Sequence, residues 1–167
     1  MARILPLYFF LLFFSFCKNS PEKSVFEKIN TSEKGDFRGI FIRSSIAEVK
    51  QTEKNIPKNA EDDYLFYEIP ISENEEYYTL GYSFNEKGLY EILSDIYLKK
   101  PDDALKLFQQ IKENFQTRFG NPQQEDDRTV VWTIKTEKSN EVEVTLSDES
   151  ENYDSGKISI SFYDLAY

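Results

Sequence analysis

Apolar residues change their spacing several times along this chain, and each change marks an element. Residues 4–16 form an apolar run interrupted by Ser15, followed by a polar, charged stretch that ends at Gly35. Little in residues 18–35 asks to be buried beyond Val25, Phe26 and Ile29, so residues 17–35 read as a polar tether. A short helix across residues 24–30 is the competing reading. From Asp36 the pattern is that of a folded domain, expected to span 36–167. Residues 37–43 read as a short strand. Ser45 followed by Glu48 is a capping-box signature, opening a helix with Ile46, Val49 and Ile56 on one face before Pro57. Strand-like runs follow at 64–71, 76–84 and 89–98, the last two joined by a turn at Asn85-Glu86-Lys87-Gly88.

The strongest helix follows Pro101. Asp102 or Asp103 is its expected cap, and Ala104, Leu107, Phe108, Ile111, Phe115 and Phe119 recur at spacings of three and four. Gly120-Asn121-Pro122 ends it. Three further strands are expected at 129–136, 141–146 and 157–163, where apolar and polar residues alternate. Such alternation describes antiparallel strands with one packed face and one wet face. The fold class is therefore α+β, with two helices on one face of a largely antiparallel sheet.

The order helix-strand-strand-strand occurs twice, which reads as a tandem duplication with half-repeats at 44–98 and 102–165. Glu61-Asp62-Asp63 recurs as Glu125-Asp126-Asp127, Pro57 as Pro122, and Gly88 as Gly156. Tandem repeats of this kind resemble the β-lactamase-inhibitor-protein fold, and a single unit is similar to the small outer-membrane lipoproteins of barrel assembly. Residues Ser45-Ile46-Ala47-Glu48-Val49 with Asn55-Ile56-Pro57 are similar to that family's helix motif. Ser44 and Asn55 stand where the motif has glycine. The resemblance implies a non-enzymatic protein that binds another protein.

The N-terminal run carries Arg3 and an apolar core too short for the roughly 20 residues of a bilayer-spanning helix. Small residues for ordinary leader cleavage are missing around Phe13, Phe14 and Phe16. Phe14-Ser15-Phe16-Cys17 resembles a lipobox, with Phe16 where a small residue is usual. This implies a lipoprotein signal peptide over 1–16, acylation (diacylglycerol and palmitate) at Cys17, and a cell-envelope protein anchored by its lipid. An uncleaved leader is the alternative. Lys18 rather than Asp after the cysteine implies the outer membrane.

Composition then narrows the chemistry. The net charge of −10 argues against nucleic acid, whose phosphates are bound by Lys and Arg, and against a domain lying flat on anionic headgroups. There is no histidine, and Cys17 is the one cysteine, so His-based triads, His-ligated zinc and a thiol nucleophile in the domain are excluded. No cofactor is expected. The acidic clusters at 61–63, 125–127 and 148–154 read as solvated loops rather than a glycosidase pair, which needs one desolvated acid. Asp148, Asn152 and Asp154 place oxygens at near-alternate positions and form a weak calcium candidate. Tyr153 and Ser159 occupy the positions where an EF-hand needs Gly and Glu.

The wet sheet face is the better candidate. If Tyr78, Leu80, Tyr82 and Phe84 point inward, Tyr77 points outward, and Tyr64, Phe66, Glu91, Tyr97 and Tyr163 are expected to share that open face. Tyrosine offers large contact area at little entropic cost, which suits protein recognition. The expected function is a non-enzymatic envelope lipoprotein that binds a protein or envelope component through this face. An inhibitor or immunity-type protein acting through the same face is one alternative, and a carboxylate-dependent envelope glycan hydrolase is the other.

Overall fold

The computed structural model describes residues 23–73 and 75–167. The leader and Cys17 lie outside the described residues. Eight antiparallel strands form a single sheet: β1 (Asn59–Ala60), β2 (Tyr64–Pro70), β3 (Tyr77–Asn85), β4 (Gly88–Leu98), β5 (Gln124–Glu125), β6 (Thr129–Ile134), β7 (Val142–Asp148) and β8 (Gly156–Asp164). Their order across the sheet is β1-β2-β3-β4-β8-β7-β6-β5. Among the described residues three α-helices accompany them: α1 (Val25–Ile29), α2 (Ile46–Thr52) and α3 (Pro101–Phe119). The α+β, largely antiparallel class follows from the alternation of the strands. The strand order mirrors itself about the β4–β8 pair, with α1 and α2 preceding the first set of four strands and α3 the second.

Alternation explains why one face is sealed. Leu65, Tyr67, Leu80, Tyr82, Ile92, Ile96, Ile158, Ile160, Phe162, Val142, Val144, Leu146, Val130 and Trp132 are all buried and all belong to one core. α3 lies on this face against β8, β7, β6 and β4, burying Ala104, Leu107, Phe108, Ile111 and Phe115. Phe115 meets both Trp132 and Phe162 edge-on at 5.8 Å. The cap differs from expectation. Lys100 is the N-cap, without a side-chain hydrogen bond, while Pro101 opens the helix and Asp102 and Asp103 sit in its first turn. Proline needs no N–H partner there and the acids complement the helix dipole.

Only α3 lies along the sheet. The β2-β3-β4 half is covered by α1, the loop at 35–44 and α2 together, contributing Ile29, Phe37, Ile40, Ile42 and Val49 to the core. This corrects three expectations. The described part of the tether is not a tether: Ser24 caps α1 through a capping box with Glu27, and Ile29 is fully buried. Residues 37–43 form no strand. Phe37 and Ile40 make an isolated bridge around Arg38 and Gly39, both at positive φ, which is a tight hairpin turn. Ile56 is 92% exposed, because α2 ends at Thr52 and releases the chain four residues earlier.

Two glycines make room for the helices. A Cβ on Gly156 would stand 2.7 Å from the Lys100 carbonyl oxygen and 2.8 Å from the Ala104 Cβ. A Cβ on Gly88 would meet the Arg43 carbonyl oxygen at 2.7 Å. Each glycine begins the last strand of its half, and each lets the backbone just before or at the start of that half's helix press against the strand.

The N-terminal cover is fastened by one buried ion pair. Arg38 Nε and Nη2 donate to the two carboxylate oxygens of Glu53 at 2.7 and 2.8 Å. Arg38 Nη1 donates to the Ile29 carbonyl and, at 3.1 Å, to the Tyr78 hydroxyl. Tyr82 donates to Glu53 at 2.5 Å. Burial alone would pull the Arg38 pKa down, but the hydrogen bond and charge of Glu53 push it further up, so the guanidinium stays charged. One side chain thereby joins α1, the C-cap of α2 and β3.

Asp36 is buried nearby and accepts a hydrogen bond from the Ile42 N–H at 2.7 Å. Burial pushes its pKa up to about 6, against the opposing pull of the Ile42 bond and the Arg118 charge.

Two stability predictions follow from these groups. Arg38→Met leaves Glu53 charged and buried without its partner, at an expected cost of about 3–5 kcal/mol in urea unfolding. Adding Glu53→Leu to that variant is expected to recover much of the loss. For Asp36, the folded chain holds a proton that the unfolded chain, with an ordinary Asp near 3.9, releases earlier. The stabilisation from this group is full below pH 4 and is lost as pH rises through about 6. Asp36→Asn keeps an acceptor for Ile42 and should flatten unfolding free energy between pH 4 and 6, raising it at pH 7 by roughly 3 kcal/mol.

Candidate partner-binding face

The strand registers settle which side chains share the helix-free face. Tyr64 is opposite Ser83, Phe66 opposite Gly81, and Pro70 opposite Tyr77. Tyr77 is opposite Tyr97, and Ser83 opposite Glu91. Glu91 is in turn opposite Tyr163, and Tyr97 opposite Lys157. Directly paired residues project to the same side of a sheet. The structure therefore brings all six expected residues, Tyr64, Phe66, Tyr77, Glu91, Tyr97 and Tyr163, onto one face.

They form three aromatic groups. Tyr77 and Tyr97 stack with centroids 4.7 Å apart, across the β3–β4 pair. Tyr64 and Phe66 lie nearly parallel at 6.5 Å along β2. The third group was not legible as such: Tyr90 stacks on Tyr167 at 4.3 Å, and Tyr163 meets both edge-on. Simple alternation puts Tyr90 on the core side, next to outward Glu91. A register shift at Ser83/Phe84 adds a residue to β4, and this lets Tyr90 join the open-face aromatics. The shift leaves Leu89 paired to Phe84 and Glu91 to Ser83, so one residue of β4, Tyr90, stands between two whose partners are neighbours in β3.

Beside the aromatics runs a row of small and aliphatic residues with hydroxyls among them. Gly81, Leu93, Ser161, Thr145 and Val131 form one row across five strands. Leu93 is 39% exposed there, an aliphatic residue flanked by small side chains. Ser159 and Ser147 continue the hydroxyl surface on the next row, beside Asp95. Ser83 donates to Glu91 at 3.0 Å. Burial is the main cause of raised pKa values for Tyr64 and Tyr97, with Glu91 and Asp95 adding to it respectively, so both phenols remain neutral donors.

Lys157 organises the edge of this face. Its ammonium donates to Glu149 at 2.7 Å and to the Tyr153 hydroxyl at 3.3 Å, and lies 3.7 Å from Asp95. It also lies 5.8 Å from the Tyr97 ring centre and 5.0 Å from that of Tyr153, within cation–π reach. Burial pulls its pKa down, yet the bonds to Glu149 and Tyr153 and the charge of Asp95 outweigh it and keep it protonated.

The calcium candidate does not assemble. Arg128 pairs with Asp148 at 3.3 Å and with Glu151 at 2.6 Å, placing a guanidinium where a hard cation needs free oxygens. Residues Ser150–Asn152 coil into a 3-10 turn, Asp148 is buried, and Asn152 and Asp154 face solvent. The acids at 61–63 are exposed, as are Asp126 and Asp127. No group of three or more acid side chains among the described residues is placed to hold a metal. No described helix is long and apolar enough to cross a membrane.

In comparisons with known proteins, no family model matches the chain, and no curated protein or solved structure matches it.

The Lys157 cluster gives a prediction of its own. Lys157→Met keeps the aliphatic stem and removes the charge, leaving Asp95 and Glu149 facing one another across the Tyr97 edge. The expected loss is about 1 kcal/mol in thermal or urea unfolding, shrinking at high salt as the leftover acids are screened. A loss that salt leaves unchanged would assign the lysine a packing role instead.

Proposed function

We propose that this protein is a non-enzymatic binding module that recognises another protein through its helix-free sheet face. The observation that carries this reading is the gathering of Tyr64, Phe66, Tyr77, Tyr97, Tyr90, Tyr163 and Tyr167 on the face that no helix covers. Most of these rings are half-exposed and already paired with each other, so little entropy remains to be lost when a partner docks. Leu93 and the small residues beside it provide a shallow row between the aromatic groups. Acids and hydroxyls around them form the polar rim common to protein interfaces.

The lipid anchor at Cys17 belongs to the same reading, supported by the lipobox-like sequence alone, and it sets the module in the cell envelope at the outer membrane. The paired roles of Gly88 and Gly156, together with the mirrored strand order, support descent from a duplicated unit. That architecture is the one implied by the resemblance to the β-lactamase-inhibitor-protein fold. An inhibitor or immunity-type protein would use this same face, and the partner's nature separates the two.

The test is envelope crosslinking and affinity capture with the full chain, comparing Tyr77→Ala/Tyr97→Ala with the parent. Truncating a stacked pair at an interface centre is expected to weaken capture of any specific partner at least about tenfold. A surface change on the far side, Lys50→Gln, should leave it unchanged. Equal capture by all three forms would remove the aromatic face from consideration.

A further inference from the structure

A second surface lies on the opposite side of the sheet and has the reverse electrostatic character. Between α1, the Arg38–Gly39 turn, the C-terminal end of α2 and the edge of β2–β3 there is a cleft of about 630 Å³. Its walls carry Lys23, Lys28, Lys34 and Lys54, with Arg38 at its lining too. Glu53 is the one acid among its lining residues, and both its oxygens are already taken by Arg38. Among the described residues no other acid lines the cleft, in a chain whose net charge is −10.

These lysines are not held elsewhere in equal measure. Lys28 reaches the Ile71 carbonyl at 3.4 Å, at the far end of β2. Lys23, Lys34 and Lys54 are exposed and make no ion pair among the described residues, whereas Lys58, Lys106, Lys138 and Lys157 each have an acid partner. Thr31 and Ser32 add hydroxyl groups to the lining, whereas the Thr52 and Tyr78 hydroxyls already donate to the Glu48 and Lys28 carbonyls. Neutral donors among ammonium groups in a partly enclosed space are the chemistry of phosphate recognition, in which charge supplies attraction and hydroxyls supply direction.

We propose that this cleft binds a phosphate-bearing anion. Two sources share that chemistry: the headgroup of an anionic phospholipid and a free phosphate compound. The headgroup is favoured by position, because Lys23 on the cleft wall stands six residues after Cys17, and six extended residues span at most about 20 Å. The overall negative charge argues against the whole domain adsorbing to a membrane, but one basic cleft beside the anchor engages a headgroup without laying the rest down. The proposal stands on different residues from the aromatic face, and either can fail alone.

The test uses the full chain in non-ionic detergent, titrated with glycerophosphoglycerol and, separately, with inorganic pyrophosphate, following the amide signals of Gly39 and Thr52. Lys34→Gln/Lys54→Gln removes two exposed ammonium groups and should weaken binding about tenfold or more. Lys99→Gln/Lys100→Gln removes the same charge at the start of α3 and should leave it within about twofold. The chain is then placed in nanodiscs of phosphatidylglycerol or phosphatidylcholine and its lysines are acetylated. A headgroup site predicts tighter binding of glycerophosphoglycerol and protection of Lys34 and Lys54 in the anionic discs alone. A site for free phosphate predicts tighter binding of pyrophosphate and equal acetylation in both discs. Failure of both probes to bind, or equal weakening by the two double variants, would overturn the proposal.

Discussion

One guanidinium holds the N-terminal third of this fold to its sheet. Arg38 occupies a positive-φ position in a two-residue turn, an uncomfortable backbone for an arginine, and from there its side chain reaches α1, α2 and β3 at once. Without such a fastener α1 and α2, of five and seven residues, are too short to stand as helices by their own hydrogen bonds. Their capping boxes satisfy backbone groups at one end, but their places over the sheet are set by what they share. Glu53 and the phenols of Tyr78 and Tyr82 answer the charge, so it is buried with its hydrogen bonds made. The C-terminal half needs no equivalent, since α3 is long enough to seal β8, β7 and β6 with a continuous apolar stripe.

That difference between the halves shapes the surfaces. Where α3 covers the sheet, the cover is a smooth apolar seam with aromatic edges meeting around Phe115. Where short pieces cover it, their junctions leave a cleft, and the cleft collects lysines from three separate segments. The opposite face shows the same bias. Two of its three aromatic groups lie wholly on β2, β3 and β4, and the third reaches only as far as β8 and the C-terminus. β7 and β6 present Thr145, Ser147, Thr129 and Thr133 instead. The half with the patched cover carries both features that invite a ligand.

The strands and α3 were legible because their periods are long and clean. Tyr78, Leu80, Tyr82 and Phe84 alternate without a break, and Ala104 through Phe115 keep helical spacing, so direction in or out followed directly. The six open-face residues were reachable for the same reason: knowing one side of an alternating strand fixes the other. What could not be read were features decided by contacts distant in sequence. Phe37, Ile40, Phe41 and Ile42 look like a short apolar strand, yet the Arg38–Gly39 turn folds the chain back, and the Arg38 side chain finds its partner in Glu53, fifteen residues on. Tyr90 changed sides through a single-residue register shift that leaves no mark in the local pattern. The spacing of Asp148 to Asn152 and Asp154 suggests a cation site, while the deciding partner, Arg128, lies on another strand's approach. The two-residue strands β1 and β5 are too short to carry any period.

The sheet itself separates the two candidate surfaces, and this gives the arrangement its sense. Tyr78 and Ile69 line the basic cleft and belong to the helix-covered side, whereas their neighbours Tyr77 and Glu68 belong to the open side. An anion held in the cleft therefore lies across the full thickness of the sheet from a partner docked on Tyr77 and Tyr97. The two occupants neither compete for space nor share a side chain. Charge reinforces the division, since the cleft gathers Lys23, Lys28, Lys34 and Lys54 while the aromatic face is edged by Glu68, Glu91, Asp95 and Glu143. A negatively charged surface held at the cleft would leave the aromatic face pointing away from it. Under the proposed reading, two neighbouring strand residues pointing opposite ways would set the orientation, so that the alternation that built the core would also decide which side meets each partner.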